Sequence, residues 1–434
     1  MATFRHVDVI EAWTWGQRVG AVAWDPNRRT HVFEYDPDWW RGGVQLAPIM
    51  MPVDPGNAAP ASRRFLFPAL DEATFQHLPG LLSDALPDAF GNQLIDAWMA
   101  THGYSPAQVT TLDRLAYMNK RGMGALEFRP ARGGQAASST PIRMATLVEQ
   151  ARRAFHGPLE EGDDDARALN QLISVGTSAG GARAKAVLGW NPRTDEMVAG
   201  QFDLADGFEH WLLKFDGMGG DQQLGPSQQY GRIEYAYHRM ALLAGIDMQP
   251  CRLHHEGGRA HFMTRRFDRD GHRKHHVQSL CALQHMSYNF TRTHAYESLF
   301  LTARALGLGD AAMTQLFARM AFNVAARNQD DHTRNFAFLL REGGAWELAP
   351  AFDVTFATDP GNKWLSAHQM SVAGKFEGIG RADLLKVADR FSIAGTTKAF
   401  ARVNEALAAW PGLAAEAGIA EPEIQRIAGL HQSL

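Results

Sequence analysis

Acids and amides recur at fixed intervals in RNQDDHTRN (residues 327–335) and again in LAPAFDV (residues 348–354). Asp330 and Asn335 stand five apart, and Asp353 follows Asp330 by 23 residues. Carboxylates and amides are hard oxygen donors, the ligands that magnesium takes alongside phosphate oxygens and water. An acid, an amide five residues on, and a second acid between a strand and a loop is the order in which kinases of the HRDxxxxN type carry base and metal ligands. The chemistry that order predicts is phosphoryl transfer, which needs divalent cations on the phosphates, a group to orient the attacking hydroxyl, and further positive charge. Taken singly, each residue has a plainer use: Asp330 and Asp331 cap a helix, Asn335 makes a turn and His332 packs. The expectation rests on the combined order. No second His or Cys lies at ligand spacing around His332, so zinc is not expected there. The histidines at 254–255 (HH) and 272–276 (HRKHH) fall in polar, turn-like stretches and are expected at the solvated surface.

Such a site needs elements that bring phosphates to it. SVGTSAGGARAK (residues 174–185) is rich in small residues between strand-like segments. The pattern GxxxxGK[ST] fits from Gly176 to Gly181 but meets Ala182 where lysine is required, and the protein-kinase GxGxxG pattern fails as well. Backbone N–H groups around Gly180 and Gly181, with Lys185 at the exit, can still surround anionic oxygens; a loop with no ligand fits the same residues. EHWLLKFD (209–216) reads as a strand carrying Lys214. IEYAYHRMALLAGID has helical periodicity with a glycine near its end, and its Glu234 either pairs with Lys214 or lies on a solvated face. CRLHHEGGRAHFMTRRFDR (251–269) reads as a hairpin, with backbone near residues 264–267 placed to contact an adenine. Beyond about residue 280 the chain reads as mainly helical, interrupted by a strand pair, FAFLL and AWELAP.

Upstream, VGAVAWD and HVFEYD are short strands, LLSDALPDAFGNQLIDAWMATHG is mostly helical, and GMGALEFRP closes the unit with a strand. ARGGQAASSTPIR (131–143) is the linker candidate, followed by a helix over MATLVEQARRAFHG and an acidic run, EEGDDDAR, read as a solvated loop. The expected domains are 1–140, an N-terminal subdomain; 141–268, a small lobe with the Gly-rich loop; and 269–434, a helical catalytic lobe. Glycine loop, strand lysine, helix, hairpin and helical half with clustered acids is the order of a two-lobed kinase.

Composition sets the outer limits. The 434 residues, 45% hydrophobic and 21% charged, suit a folded globular chain of two or three domains. A formal net charge of −4, from 43 Lys+Arg and 47 Asp+Glu, argues against bulk attraction to nucleic acid. Two cysteines, Cys251 and Cys281, without a CxxC, suit a reducing compartment. The N-terminal MATFRHVDVIEAWTWG lacks the build of a secretory signal, and no stretch approaches the roughly 20 apolar residues of a bilayer span. A cytoplasmic protein with no membrane partner is expected.

The residues at NxDxHxxN (Asn328, Asp330, His332, Asn335), LAPAFDV, GGARAK, RRFDR (265–269) and EYAYHRMALLAGI resemble the HipA family, the serine/threonine kinase toxins of bacterial HipBA toxin–antitoxin modules. The likeness extends through VGAVAW, FEYDPDWW, LLSDALPDAFGNQLI and RGMGALEF, and so covers nearly the whole chain. It implies an α+β, two-lobed protein-kinase-like fold with an N-terminal α/β subdomain and a mainly helical C-terminal lobe. ATP and Mg2+ would be the cofactors. Asp330 would be the base, with Asn335 and Asp353 the magnesium ligands and Lys214 the ATP phosphate contact. Gly180, Gly181, Lys185, Arg265, Phe267 and His332 would complete the nucleotide site. Family members autophosphorylate a serine of the Gly-rich loop; the matching position is Ser178, with Ser174 the poorer candidate. The resemblance further implies a separate HTH antitoxin of HipB type, contact with operator DNA only through that partner, and a protein substrate such as an aminoacyl-tRNA synthetase. The loop departs from the family's better-known SxxGAQxK in carrying Arg183 for the glutamine. Two alternatives stand beside this: a catalytically weak HipA-like corepressor acting with an HTH partner, and a small-molecule kinase.

Overall fold

The structure is a computed structural model describing residues 6–57, 59–100, 103–131, 184–201, 203–216 and 229–434. The linker, the helix and acidic run after it, and most of the Gly-rich loop lie outside the described residues. The chain forms two compact units, one from residues up to 228 together with 254–277, the other from 229–253 together with 278–434.

The first unit holds two antiparallel sheets. Strands β1 (Val9–Thr14), β2 (Gln17–Asp25), β3 (Thr30–Tyr35), β4 (Arg64–Leu66) and β5 (Glu127–Arg129) are ordered β4-β3-β2-β1-β5. Trp15 and Gly16, with φ of 49° and 76°, make the two-residue turn between β1 and β2. Positive φ at both positions is the hairpin turn whose twist matches that of its strands. Gly20 on β2 faces β3 so closely that a Cβ would come within 2.3 Å of the Glu34 carbonyl oxygen. The second sheet is ordered β7-β6-β8-β10-β9, from β6 (Lys185–Trp190), β7 (Met197–Ala199), β8 (Glu209–Lys214), β9 (Cys251–Glu256) and β10 (Arg259–Arg265). Its apolar face shares one core with the helix Ala89–Ala100, where Phe90, Leu94 and Ile95 meet Ala186, Leu188 and Leu213.

Two of the sequence motifs prove to be partners. In RRFDR, Arg266 clamps Asp268 through Nε and Nη2 at 2.9 and 2.7 Å, and Arg269 Nη1 donates to the same carboxylate at 2.7 Å. From GMGALEF, the Gly124 N–H donates to Asp268 at 2.7 Å, while the Gly122 carbonyl accepts from Arg269 Nη2 at 3.1 Å. Burial by itself would raise the Asp268 pKa; the two guanidiniums outweigh it and hold the carboxyl below the usual range.

The histidine run HRKHH departs from its expected place. His272 is exposed, but His275 and His276 are buried. His276 Nε2 donates to the Leu46 carbonyl at 3.0 Å, and the His275 N–H bonds the Asp268 carbonyl at 3.0 Å. For His276 the partner lies 230 residues away in sequence, beyond the reach of any local pattern.

The second unit is mainly helical, with helices Tyr230–Leu243, Tyr296–Ala305, Asp310–Ala325, Arg381–Phe391, Thr396–Glu416 and Glu421–Ala428 and the short antiparallel pair Ala337–Leu340 and Trp346–Leu348. Tyr237, fully buried, packs edge-on against Trp410 and Phe322 and donates its hydroxyl to the Ala326 carbonyl at 2.7 Å. No helix among the described residues is long and apolar enough to cross a membrane.

Candidate active site

The helix Asp310–Ala325 is buried at every position from Leu316 onward and delivers the chain to the acidic run. It ends with Arg327 at φ 58° and the Asn328 N–H bonded back to the Asn323 carbonyl at 3.0 Å. This is the left-handed helix ending in which glycine is usual, so arginine costs about 1–2 kcal/mol of backbone strain. Asp330 and Asp331 then lie in irregular backbone before a single 3-10 turn, Thr333–Asn335, and cap no helix.

The two neighbouring acids have opposite environments. Asp331 is buried and accepts from Tyr296 Oη at 2.7 Å, from His368 Nδ1 at 2.8 Å and from the Gln369 N–H at 2.7 Å. An ionised carboxylate only accepts, so the His368 proton sits on Nδ1. The Tyr296 hydroxyl is held well above its usual pKa, by burial first and by the adjacent Asp331 charge second. With Asp331 pinned inward, the Asp330 side chain is left 45% exposed.

Asp353 sits midway along a span suspended at both ends. The Ala351 N–H bonds the Asp247 carbonyl at 2.8 Å; Ala357 donates to Arg327 O at 3.1 Å and accepts from the Gln329 N–H at 2.8 Å. Asp353 itself has φ 52°, a conformation aspartate tolerates better than most residues.

A cavity of about 20 Å³ is lined by Asn335 and Asp353 together with Arg319, Asn323, Asn328 and Asp331. Asn335 Nδ2 donates to the Asp330 carbonyl at 2.8 Å. A carbonyl can only accept, so the amide nitrogen must face it and Oδ1 is the atom left over. Asn335 Oδ1 and the Asp353 carboxylate are hard oxygens suited to magnesium, which binds through one or two protein groups plus phosphates and water. Among the described residues no three His, Cys, Asp or Glu gather to hold a metal ion. His332 lies with Nε2 3.8 Å from Asp330 Oδ1 and its ring against Tyr288.

The remaining predicted residues are on the first unit. Lys185 and Lys214 pair directly across β6 and β8, and both are buried. Like charges opposite one another on one sheet face repel. Lys214 Nζ also lies 5.6 Å from the Phe262 ring centroid. Arg265 is exposed, 3.7 Å from Glu209, and Phe267 is half-buried in the turn after β10. Ser178, Ser174, Gly180 and Gly181 lie outside the described residues. Glu234 is buried in the second unit, so the solvated face considered for it is not where it lies. Tyr296, Asn323 and His368 had no signal in the sequence; only the doubled acid at 330–331 hinted that one carboxylate is structural.

A profile of the HipA N-terminal domain matches residues 10–129, and one of the HipA-like C-terminal domain matches residues 177–412, more than half of the chain. The chain belongs to the HipA family. A solved HipA from Shewanella oneidensis MR-1, determined as a toxin–antitoxin complex with HipB and operator DNA, is similar over 97% of this chain and 94% of that one. The TM-score is 0.65 at 17% identity, which establishes a shared HipA-like α+β fold. The Helicobacter pylori proinflammatory kinase CtkA aligns with 52% of this chain and 86% of its own at 12% identity, with a TM-score of 0.34, too low to bear on the fold. No curated protein matches.

Proposed function

We propose that this HipA family chain is an ATP- and magnesium-dependent serine/threonine protein kinase, the toxin of a type II toxin–antitoxin module. The observation that carries this reading is the single small cavity lined by Asn335 and Asp353, with Asn335 tied to the backbone of Asp330. Magnesium, when bound, neutralises charge on the phosphate oxygens. Asp330 projects from the loop that Asp331 anchors and takes the proton of the substrate hydroxyl. Lys185 and Lys214 hold phosphates, with Gly180 and Gly181 supplying N–H groups. Arg265, Phe267 and His332 complete the nucleotide site, and Ser178 is the autophosphorylated residue. The three-part division at about 140 and 268 belongs to this same reading.

The partner is an HTH antitoxin of HipB type, and operator DNA is reached through it; the support is the similar HipA, solved together with HipB and operator DNA. The substrate class is a translation protein such as an aminoacyl-tRNA synthetase. Purified protein, incubated with labelled ATP, magnesium and a cell lysate, is expected to label a protein band. Asp330→Asn should lower that labelling by about 10²–10⁴-fold while the protein stays folded, the range for losing a general base, and Asp353→Asn, which removes a carboxylate ligand of the cation, should lower it as well. Full activity in either variant would overturn the site assignment. Operator binding that persists in Asp330→Asn while growth arrest is lost would show the repressor role standing alongside the enzyme.

A further inference from the structure

The cavity wall carries one buried acceptor that no hydrogen bond uses. Asn328 is 3% exposed, and its Oδ1 is buried without a partner. Which amide atom of this cavity-lining residue is left without a partner is fixed by a chain of hydrogen bonds that begins at Asp331. The carboxylate accepts from Tyr296 Oη at 2.7 Å, so the phenol proton points to Asp331 and the phenol oxygen becomes an acceptor. Asn323 Nδ2 donates to that oxygen at 3.0 Å, which turns Asn323 Oδ1 the other way. Asn328 Nδ2 donates to Asn323 Oδ1 at 2.9 Å, leaving Oδ1 as the free end of Asn328. Reversing either amide would set two donors or two acceptors face to face, so the charge on Asp331 sets the polarity of the whole relay.

The other groups on this wall are committed differently. Both Asp331 oxygens and both Asn323 amide atoms are in use. Arg319 Nε is also buried without a partner, but a guanidinium N–H only donates. A buried polar atom without a partner is rare and calls for one, and this one requires a hydrogen-bond donor. Magnesium keeps several of its waters, and cation-bound water is a strong donor.

We propose that Asn328 is a positioning residue of the cation site: its Oδ1, aimed by the Asp331–Tyr296–Asn323 relay, accepts a hydrogen bond from water on the cation held by Asn335 and Asp353. This rests on the cation site proposed above. Outer-shell partners of this kind are worth about 10–100-fold in metal affinity.

The test is a titration of Mn2+ into the full chain with a non-hydrolysable ATP analogue, following free Mn2+ by electron paramagnetic resonance below the melting temperature of each variant. Asn328→Leu should weaken Mn2+ binding about tenfold, at the lower end of that range. Asn328→Asp, which keeps an oxygen toward the cavity, should retain the affinity even if stability falls. Tyr296→Phe and Asn323→Leu, neither touching the cation, should each weaken it, and combining Tyr296→Phe with Asn328→Leu should add little to Asn328→Leu alone. Unchanged Mn2+ affinity in Asn328→Leu, or in both relay variants, would overturn the inference if Asp353→Asn still weakens binding. If Asp353→Asn leaves the affinity unchanged, it is the cation site itself that fails.

Discussion

Asp268, in the unit with the two sheets, and Asp331, in the helical unit, are both buried carboxylates. Asp268 is met by charge, with two guanidiniums and one backbone N–H closing on it. Asp331 is met by a phenol, an imidazole and a backbone N–H. The first arrangement clamps two chain segments together, and its partners gain as much from the carboxylate as it gains from them. The second passes direction along a row of side chains, because the Tyr296 hydroxyl that donates to it accepts in turn from Asn323, which accepts from Asn328. One carboxylate fastens and the other orients.

The comparison breaks first at Asp268. Asp268→Ala leaves Arg266 and Arg269 buried without their counter-charge, so unfolding free energy should fall by about 3–5 kcal/mol, read by denaturant melts. A loss under about 1 kcal/mol would mean that the guanidiniums are satisfied by backbone carbonyls alone. Asp331→Asn should cost less stability, about 1–3 kcal/mol, because the amide must turn an N–H either toward Tyr296 and His368 or toward the Gln369 N–H. It should nevertheless slow phosphoryl transfer, since the loop that carries Asp330 loses its anchor. A folded Asp331→Asn with unaltered rate would remove the orienting role.

Acidification tests the Asp268 clamp in a second way. The Asp268 pKa lies lower in the folded chain than in the unfolded one, so it contributes stability above about pH 4 that is lost as pH falls below it. His276 acts in a higher pH window, because burial lowers its pKa from 6.5 to about 4. Between those values only the unfolded chain takes up the proton, so stability drops as pH falls across that window. His276→Gln should flatten this part of the pH–stability curve, and an unchanged slope would mean that other buried histidines carry it.

The sequence made one of these acids visible and hid the other. In RRFDR the acid and both arginines lie within five residues, so the motif can be seen even though its GMGALEF partner cannot. The relay takes residues from 296, 323, 328, 331 and 368, each an ordinary polar residue in its own stretch, and only the tertiary fold brings them together. Strands and helices were legible because alternation and helical periodicity are local; the buried fate of His275 and His276 was not, because it depends on contacts with Leu46 and Asp268. Asp330, Asn335 and Asp353 could be singled out as candidates because the chemistry proposed for them has a characteristic spacing.

The span around Asp353 is held at both ends by main-chain bonds, at Ala351 and at Ala357. Those anchors use no side-chain atom, so they survive Asp353→Asn. Under the function proposed above, a gene copy carrying Asp353→Asn would still supply a molecule that occupies the antitoxin, and beside an intact copy it would act as a decoy, freeing the active chain rather than restraining it.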